Sequence, residues 1–279
     1  MTGRETECVD LVRYAVGDAA LVRVPYAEVL VDPDVVGLTP SQVASVGWAE
    51  PVWAEGPQVR VAAAVWVIES GGRRIVVDPV QAADPILRTG PEAAAHQDAV
   101  AAALSGAGFA RESIDTVLAS HIDGIGMIAW LEAGEWSPFF PNAEVILSER
   151  EYAAIADSND PYSPQGHEAI VALHAQGAVT TVGDAHTVTD AVSTRLTGGH
   201  SPGHQVIDVE SDGDAATFIG HLALSPLHCT IDDCSLHMEP APAVAALQQL
   251  RDERRLLIGP LWPTPGGARW TGAEMEPAS

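Results

Sequence analysis

Residues 199–204 read Gly199-His200-Ser201-Pro202-Gly203-His204. A Ser-Pro-Gly turn between two histidines reverses the chain, with strand-like segments on either side: Thr194 to Thr197 before it, Gln205 to Glu210 after it. Working outward, two other strand-like runs also end in histidine. They are Leu118-Ala119-Ser120-His121-Ile122-Asp123 and Phe218-Ile219-Gly220-His221. Side chains at strand C-termini and in the turns beyond them commonly build sites in α/β folds. Imidazoles from three such ends can converge on one metal, and three neutral nitrogens plus water make a catalytic zinc arrangement. Taken one at a time, each has a plainer reading: His200 satisfies its own turn, and Asp123 caps the helix that follows. His96, His167, His174 and His186 lie in polar or helical stretches and read as ordinary surface residues.

The rest of the chain mixes strands and helices in both halves. Ala20 to Val24 reads as a strand stopped by Pro25, followed by a Pro/Gly-punctuated arm to about Gln58. Val59 to Ile68 and Ile75 to Val77 flank Gly71-Gly72 and read as a hairpin. Pro91 to Gly106, Glu149 to Ala156, His167 to Gln176 and Pro242 to Glu253 read as helices, and Met127 to Glu132 as a helix start. Thr116 to Ala119, Glu144 to Leu147, Ala215 to Ile219 and Leu256 to Ile258 read as strands. No repeat, linker or charge block marks a boundary, so a single domain over 1–279 is expected, with an extended arm at about 1–60.

Composition excludes several functions. The chain has 279 residues, 38 acidic and 14 basic, for a net charge of −24; every basic residue is arginine. Such a charge repels phosphate backbones, anionic membranes and free anionic substrates. Without lysine there is no Schiff-base chemistry and no lysine base. The hydrophobic share of 47% suits a globular core. Three cysteines, Cys8, Cys229 and Cys234, are too few for a disulfide scaffold. No basic segment followed by an apolar run opens the sequence, and no stretch is apolar enough to span a bilayer, so a cytoplasmic location is expected. The arginine-only, alanine-rich composition fits a high-GC genome and, with it, a setting in specialised metabolism.

From about Val16 to Trp270 the sequence resembles the metallo-β-lactamase-fold hydrolases, in particular the branch with quorum-quenching lactonases. The markers run in that family's order. They are Ile75-Val76-Val77-Asp78, Ile114 to His121, Phe139-Phe140-Pro141-Asn142-Ala143 with Ser148 and Glu149, and the Gly-His-Ser-Pro-Gly-His turn. Gly220-His221 with Ser225-Pro226-Leu227, and Gly259-Pro260-Leu261-Trp262-Pro263, complete the set. The resemblance implies an αββα four-layer sandwich.

It also implies a site that departs from the family's. The H-x-H-x-D-H motif falls on His121-Ile122-Asp123-Gly124-Ile125-Gly126, keeping its first histidine only. His221 stands where the family has a bridging aspartate, and Leu261 where it has a last histidine. Ile125, Gly126 and Leu261 offer no side-chain ligand, and a neutral imidazole does not bridge two cations as a carboxylate does, so a dinuclear centre is not expected. Two options remain: one zinc held by His121, His204 and His221 with Asp123 joining, or no metal, with His121, Asp123, His204 and His221 as acid–base groups. His228, Trp262 and Leu261 are expected to line the substrate pocket. Asp78 is expected to brace the site. A Cys229–His228 nucleophile is weak because adjacent strand residues point to opposite faces.

The expected partner is a small neutral lactone, ester or related carbonyl compound, with no nucleic acid and no membrane. Two alternatives stay open: a metal-independent cyclase, dehydratase or thioesterase-like tailoring enzyme, and a non-catalytic small-molecule-binding protein. A homodimer through residues 30–60 is the expected assembly.

Overall fold

The computed structural model describes residues 11–79, 91–122, 128–132, 134–156, 164–233 and 235–279. The first half of the chain forms β1 (Val12–Val16), β2 (Ala19–Val31), α1 (Pro40–Ser45), β3 (Ala54–Glu55), β4 (Gln58–Ser70), β5 (Arg73–Val77), α2 (Pro91–Gly106) and β6 (Thr116–Leu118). There follow β7 (Ala129–Glu132), β8 (Glu135–Pro138), β9 (Glu144–Ser148), α3 (Glu149–Ala156), α4 (Pro164–Ala175) and β10 (Val179–Val182). The last part is β11 (Ala185–Thr187), β12 (Val192–Leu196), β13 (Gln205–Ser211), β14 (Asp214–Phe218), α5 (Pro240–Asp252), β15 (Leu256–Ile258), β16 (Gly267–Trp270) and β17 (Met275–Pro277).

Among the described residues two large sheets result, besides the two-stranded pair β7-β8. The first runs β1-β2-β4-β5-β6-β9-β10 with β3 paired to β4; the second runs β11 through β17 in sequence order, omitting the helix. Period-two alternation explains the layering. In the first sheet, Trp66, Ile68, Ile75, Val77 and Leu118 meet Ile207, Val209, Phe218, Leu256 and Ile258 of the second in a core between the sheets. The residues alternating with them, Val65, Val67, Val76 and Val117, face the other way, against Leu104 of α2, Ile155 of α3 and Ile170 and Leu173 of α4. Val206 and Leu257 likewise face away from the first sheet, toward Leu247 and Leu250 of α5. The architecture is thus the expected αββα sandwich. The arm folds back on its own chain: Val36, Val43 and Trp53 pack into the α5 layer. Among the described residues no helix is long and apolar enough to cross a membrane.

Two local expectations change. β2 continues past Pro25 to Val31, because the register with β4 shifts between Pro25 and Ala27; this bulge absorbs the missing amide donor. Instead of a helix start, residues 129–132 form a strand paired with β8. There Trp130 packs edge-on against Phe139, and the Arg111 guanidinium lies over its ring. These aromatic contacts suit a pleated surface, and they override the weak helical pattern.

Candidate functional site

The site lies where the ends of β6, β12 and β14 meet. The two sheets are stitched together there: the Gln205 backbone amide donates to Ser120 O at 2.9 Å, and its side-chain amide to Ala119 O at 2.9 Å. Past β5 the backbone of Asp78 turns to φ 38°, and its carboxylate accepts from the Ser120 amide at 2.7 Å and also bonds the Ser120 side chain. Burial pushes the Asp78 carboxyl up to about 6, against these two bonds. Ser120 Oγ is 2.9 Å from His121 Nδ1. This bond holds the His121 ring by Nδ1 and leaves its Nε2 facing His221.

One buried carboxylate ties this strand end to the Gly-His-Ser-Pro-Gly-His turn. Glu151, at 0% exposure in the first turn of α3, accepts from Ile122 N at 3.0 Å, Ser201 Oγ at 2.7 Å and Gly203 N at 3.2 Å. Ser148 Oγ donates to Gly203 O at 2.6 Å and accepts from Glu151 N at 3.0 Å. The turn lies so close to α3 that a Cβ on Gly203 would meet Glu151 N at 2.0 Å. Only glycine is tolerated at that approach, which accounts for the second glycine of the motif.

The turn presents two histidines. The His200 ring hydrogen-bonds the Leu236 backbone, and its Nδ1 is buried with no partner among the described residues. His204 Nδ1 lies 2.8 Å from Thr197 Oγ1, whose hydroxyl donates to His204 O at 3.1 Å. The ring N–H of His204 therefore points at Thr197, which leaves Nε2 as a buried nitrogen without a partner among the described residues. That nitrogen faces Gly220, which has φ +51° and where a Cβ would come within 2.5 Å of it. His221 follows directly, with Nδ1 3.0 Å from His121 Nε2.

The rings form one cluster. His121 is 4.2 Å from His221, 4.7 Å from His200 and 5.6 Å from His204, centroid to centroid. His237 lies 5.8 Å from His200 on the far side. Burial drives the His200 and His237 imidazoles down to about 4, His237 adding to the shift at His200, and holds His204 well below its ordinary value. These rings are neutral at pH 7, the state a metal ligand needs.

Nitrogens of His121, His200 and His221 lie within 4.8 Å of one another, and all three residues are buried. The expected trio of His121, His204 and His221 is therefore gathered differently: His200 completes the tightest group and His204 stands one ring away. The donor set fits one borderline cation such as zinc. Among the described residues the group contains no carboxylate. Asp123 lies outside the described residues.

Two expected pocket residues are corrected. Trp262 is fully buried, packs edge-on against Trp53 and donates its indole N–H to Ala223 O at 2.9 Å, so it is core rather than rim. His228 spends both ring nitrogens on backbone, Nδ1 on Ser225 and Nε2 on Val36 O at 2.9 Å, which takes it out of the pocket. Leu261 is half-buried against the same core, and its carbonyl accepts from Ala62 N. Burial pushes the Cys229 thiol up to about 12, which removes it as a nucleophile. Sequence reasoning missed His237 and Glu151, and it left His200 as a turn residue. Two histidines four apart around one turn was the available signal for His200; nothing marked His237 or Glu151.

Among solved structures, the chain is similar to the hydrolase AbOPH of the β-lactamase superfamily, with TM-score 0.75 and 18% identity over 98% of this chain and 99% of that one. Its fold is the metallo-β-lactamase fold. AidC, a dizinc quorum-quenching lactonase solved with a homoserine product, superposes with TM-score 0.75 at 17% identity, over 96% of this chain and 97% of that one. A probable metal-dependent hydrolase from Staphylococcus aureus gives 0.70 at 14% identity, over 94% and 96%. No protein-family model matches the sequence, and no curated protein matches it. On the metallo-β-lactamase fold, then, this chain carries a cluster of histidines with no carboxylate among its described members.

Proposed function

We propose that the chain is a metallo-β-lactamase-fold hydrolase acting on a small neutral lactone or ester, at a histidine cluster that holds at most one metal ion. The observation that carries this reading is the convergence of His121, His200, His204 and His221, buried and drawn from three strand ends of both sheets. AbOPH is named a hydrolase and AidC a lactonase, and both share the fold. The −24 charge favours a neutral substrate over an anionic one.

The chain's own residues supply orientation and proton movement. Ser120, held by Asp78, fixes the His121 ring through Nδ1. Without a bound ion, the 3.0 Å contact between His121 Nε2 and His221 Nδ1 lets a proton pass between the two rings as a water is deprotonated or the leaving alkoxide is protonated. Glu151 keeps the His200–His204 turn at a fixed distance from His121. A bound zinc would supply Lewis acidity and bring the pKa of a coordinated water to ~7.

Turnover of a panel of neutral lactones and aryl esters tests the reading. Wild type should hydrolyse at least one of them, and His121→Ala should lower kcat/KM about 100-fold or more while far-UV circular dichroism is unchanged. Thermal stabilisation by the panel without product would overturn it in favour of a binding protein.

A further inference from the structure

Resting on the same reading of the site, we infer that His200 is a metal ligand, so that one zinc-class cation is held by His121 Nε2, His200 Nδ1 and His221 Nδ1, with His204 standing behind them. Three observations carry it. The first is proximity: the donor atoms of these three residues lie within 4.8 Å of one another, and His121 Nε2 and His221 Nδ1 are 3.0 Å apart. An ion at about 2.0–2.1 Å from each needs donor pairs no more than about 4.2 Å apart. The His121–His221 pair already meets that limit, and any wider pair has to close by up to ~0.6 Å.

The second is the direction of the ring protons. His200 spends one nitrogen on the Leu236 backbone, and its Nδ1 is buried with no partner among the described residues. A backbone carbonyl on the far nitrogen is the arrangement that fixes tautomer and orientation in metal-bound histidines. The segment that supplies this partner is itself pinned: Met238 N donates to His200 O at 3.3 Å and Glu239 N to Gly199 O at 2.8 Å. His200 is thus held by its ring and by its main chain, with a lone pair left over.

The third is where His204 points. Its Nε2 faces Gly220, and a single Cβ placed there would come within 2.5 Å of both that nitrogen and Ser120 Oγ. Its ring lies 5.6 Å from that of His121, centroid to centroid, and it is not among the three residues whose nitrogens gather within 4.8 Å. His204 and Thr197 buttress the floor of the site.

The chemistry of three imidazoles selects a borderline cation, zinc or cobalt, over magnesium or calcium. The test begins with protein stripped by a chelator and reloaded with zinc. One zinc per chain is expected in wild type and in His186→Ala, a histidine on the β11 strand away from the cluster. His200→Gln, which keeps an amide N–H for Leu236, should raise the zinc dissociation constant about 100-fold or more without changing the melting temperature of the stripped protein. Nitrogen-15 histidine spectra of zinc-loaded wild type give an answer that needs no variant. Two rings bound through Nδ1 and one through Nε2 support the inference. A single Nδ1-bound ring overturns it, because His204 would bind through Nε2. It is also overturned if wild type takes up no zinc, or if folded His200→Gln keeps wild-type affinity. These readouts do not depend on turnover. Zinc bound in this pattern without lactone or ester hydrolysis would sink the proposed reaction and leave the ligand assignment standing.

Discussion

Two histidine-bearing turns leave the strands of the second sheet, and both bury their imidazoles. At 225–229, Pro226 opens a short 3-10 turn capped by Ser225, and His228 has a backbone partner for each ring nitrogen, Ser225 and Val36. At 199–204, His200 and His204 each have one nitrogen matched, by the Leu236 backbone and by Thr197, and one with no partner among the described residues. Residue type and burial are the same in the two turns, and saturation differs. A buried polar atom without a partner is costly, so it persists where something else compensates for it. His228 therefore reads as a brace between the second sheet and the arm, and the 199–204 turn is the one that keeps ring nitrogens unspent among the described residues.

The largest effect that would break this contrast is expected at His228. His228→Ala should destabilise the fold by about 3–5 kcal/mol, since it opens a cavity and leaves Ser225 N and Val36 O unpaired. Denaturant unfolding measures that cost, and zinc content should be unchanged. Zinc lost with stability intact would mean that the saturated turn is part of the site and the contrast is false.

A pH dependence sharpens the same contrast on the first sheet, where Asp78 supports His121 through Ser120. Its carboxyl titrates at about 6 in the fold, against 3.8 ordinarily. Below about pH 4 both the folded and unfolded chains hold this proton. Between about 4 and 6 the unfolded chain loses it and the folded chain keeps it, so stability falls as pH rises through that window. The loss is complete above about 6 and amounts to at most about 3 kcal/mol. Asp78→Asn keeps an oxygen for the Ser120 amide and has no proton to lose. Its unfolding free energy should be flatter than wild type between pH 4 and 6, and an identical slope would show that Asp78 is not the titrating group.

Much of the sandwich is legible in the sequence because alternation is a local signal. Val65-Trp66-Val67-Ile68 declares two buried faces by itself, and the glycines at 199 and 203 mark a turn with little room around it. The site is legible only in part. His121, His204 and His221 stand out as strand-end histidines, but whether a ring nitrogen is spent depends on contacts far along the chain. Val36 is 192 residues from His228, and Glu151 is about 50 residues from the turn it holds. No window of sequence contains those pairs. Trp262 fails as a rim residue for the same reason: its indole partner, Ala223, lies 39 residues away across the core.

The smallest expected effect isolates orientation from ligation. Thr197 touches His204 through a hydroxyl that takes the ring N–H at 2.8 Å and donates to the His204 carbonyl at 3.1 Å. Thr197→Val keeps the shape and removes both bonds. If His204 is a buttress, as inferred, its ring loses its tautomer and its orientation, but the tight trio keeps all three donors. Zinc affinity should then fall by no more than about 10-fold, toward the low end of what such supporting partners contribute. If His204 is itself a ligand, losing the group that fixes its Nε2 lone pair costs closer to 100-fold. A competition titration against a chromophoric chelator resolves the two, and the ratio of Thr197→Val to wild type reads out which histidines of the turn are ligands and which are scaffold.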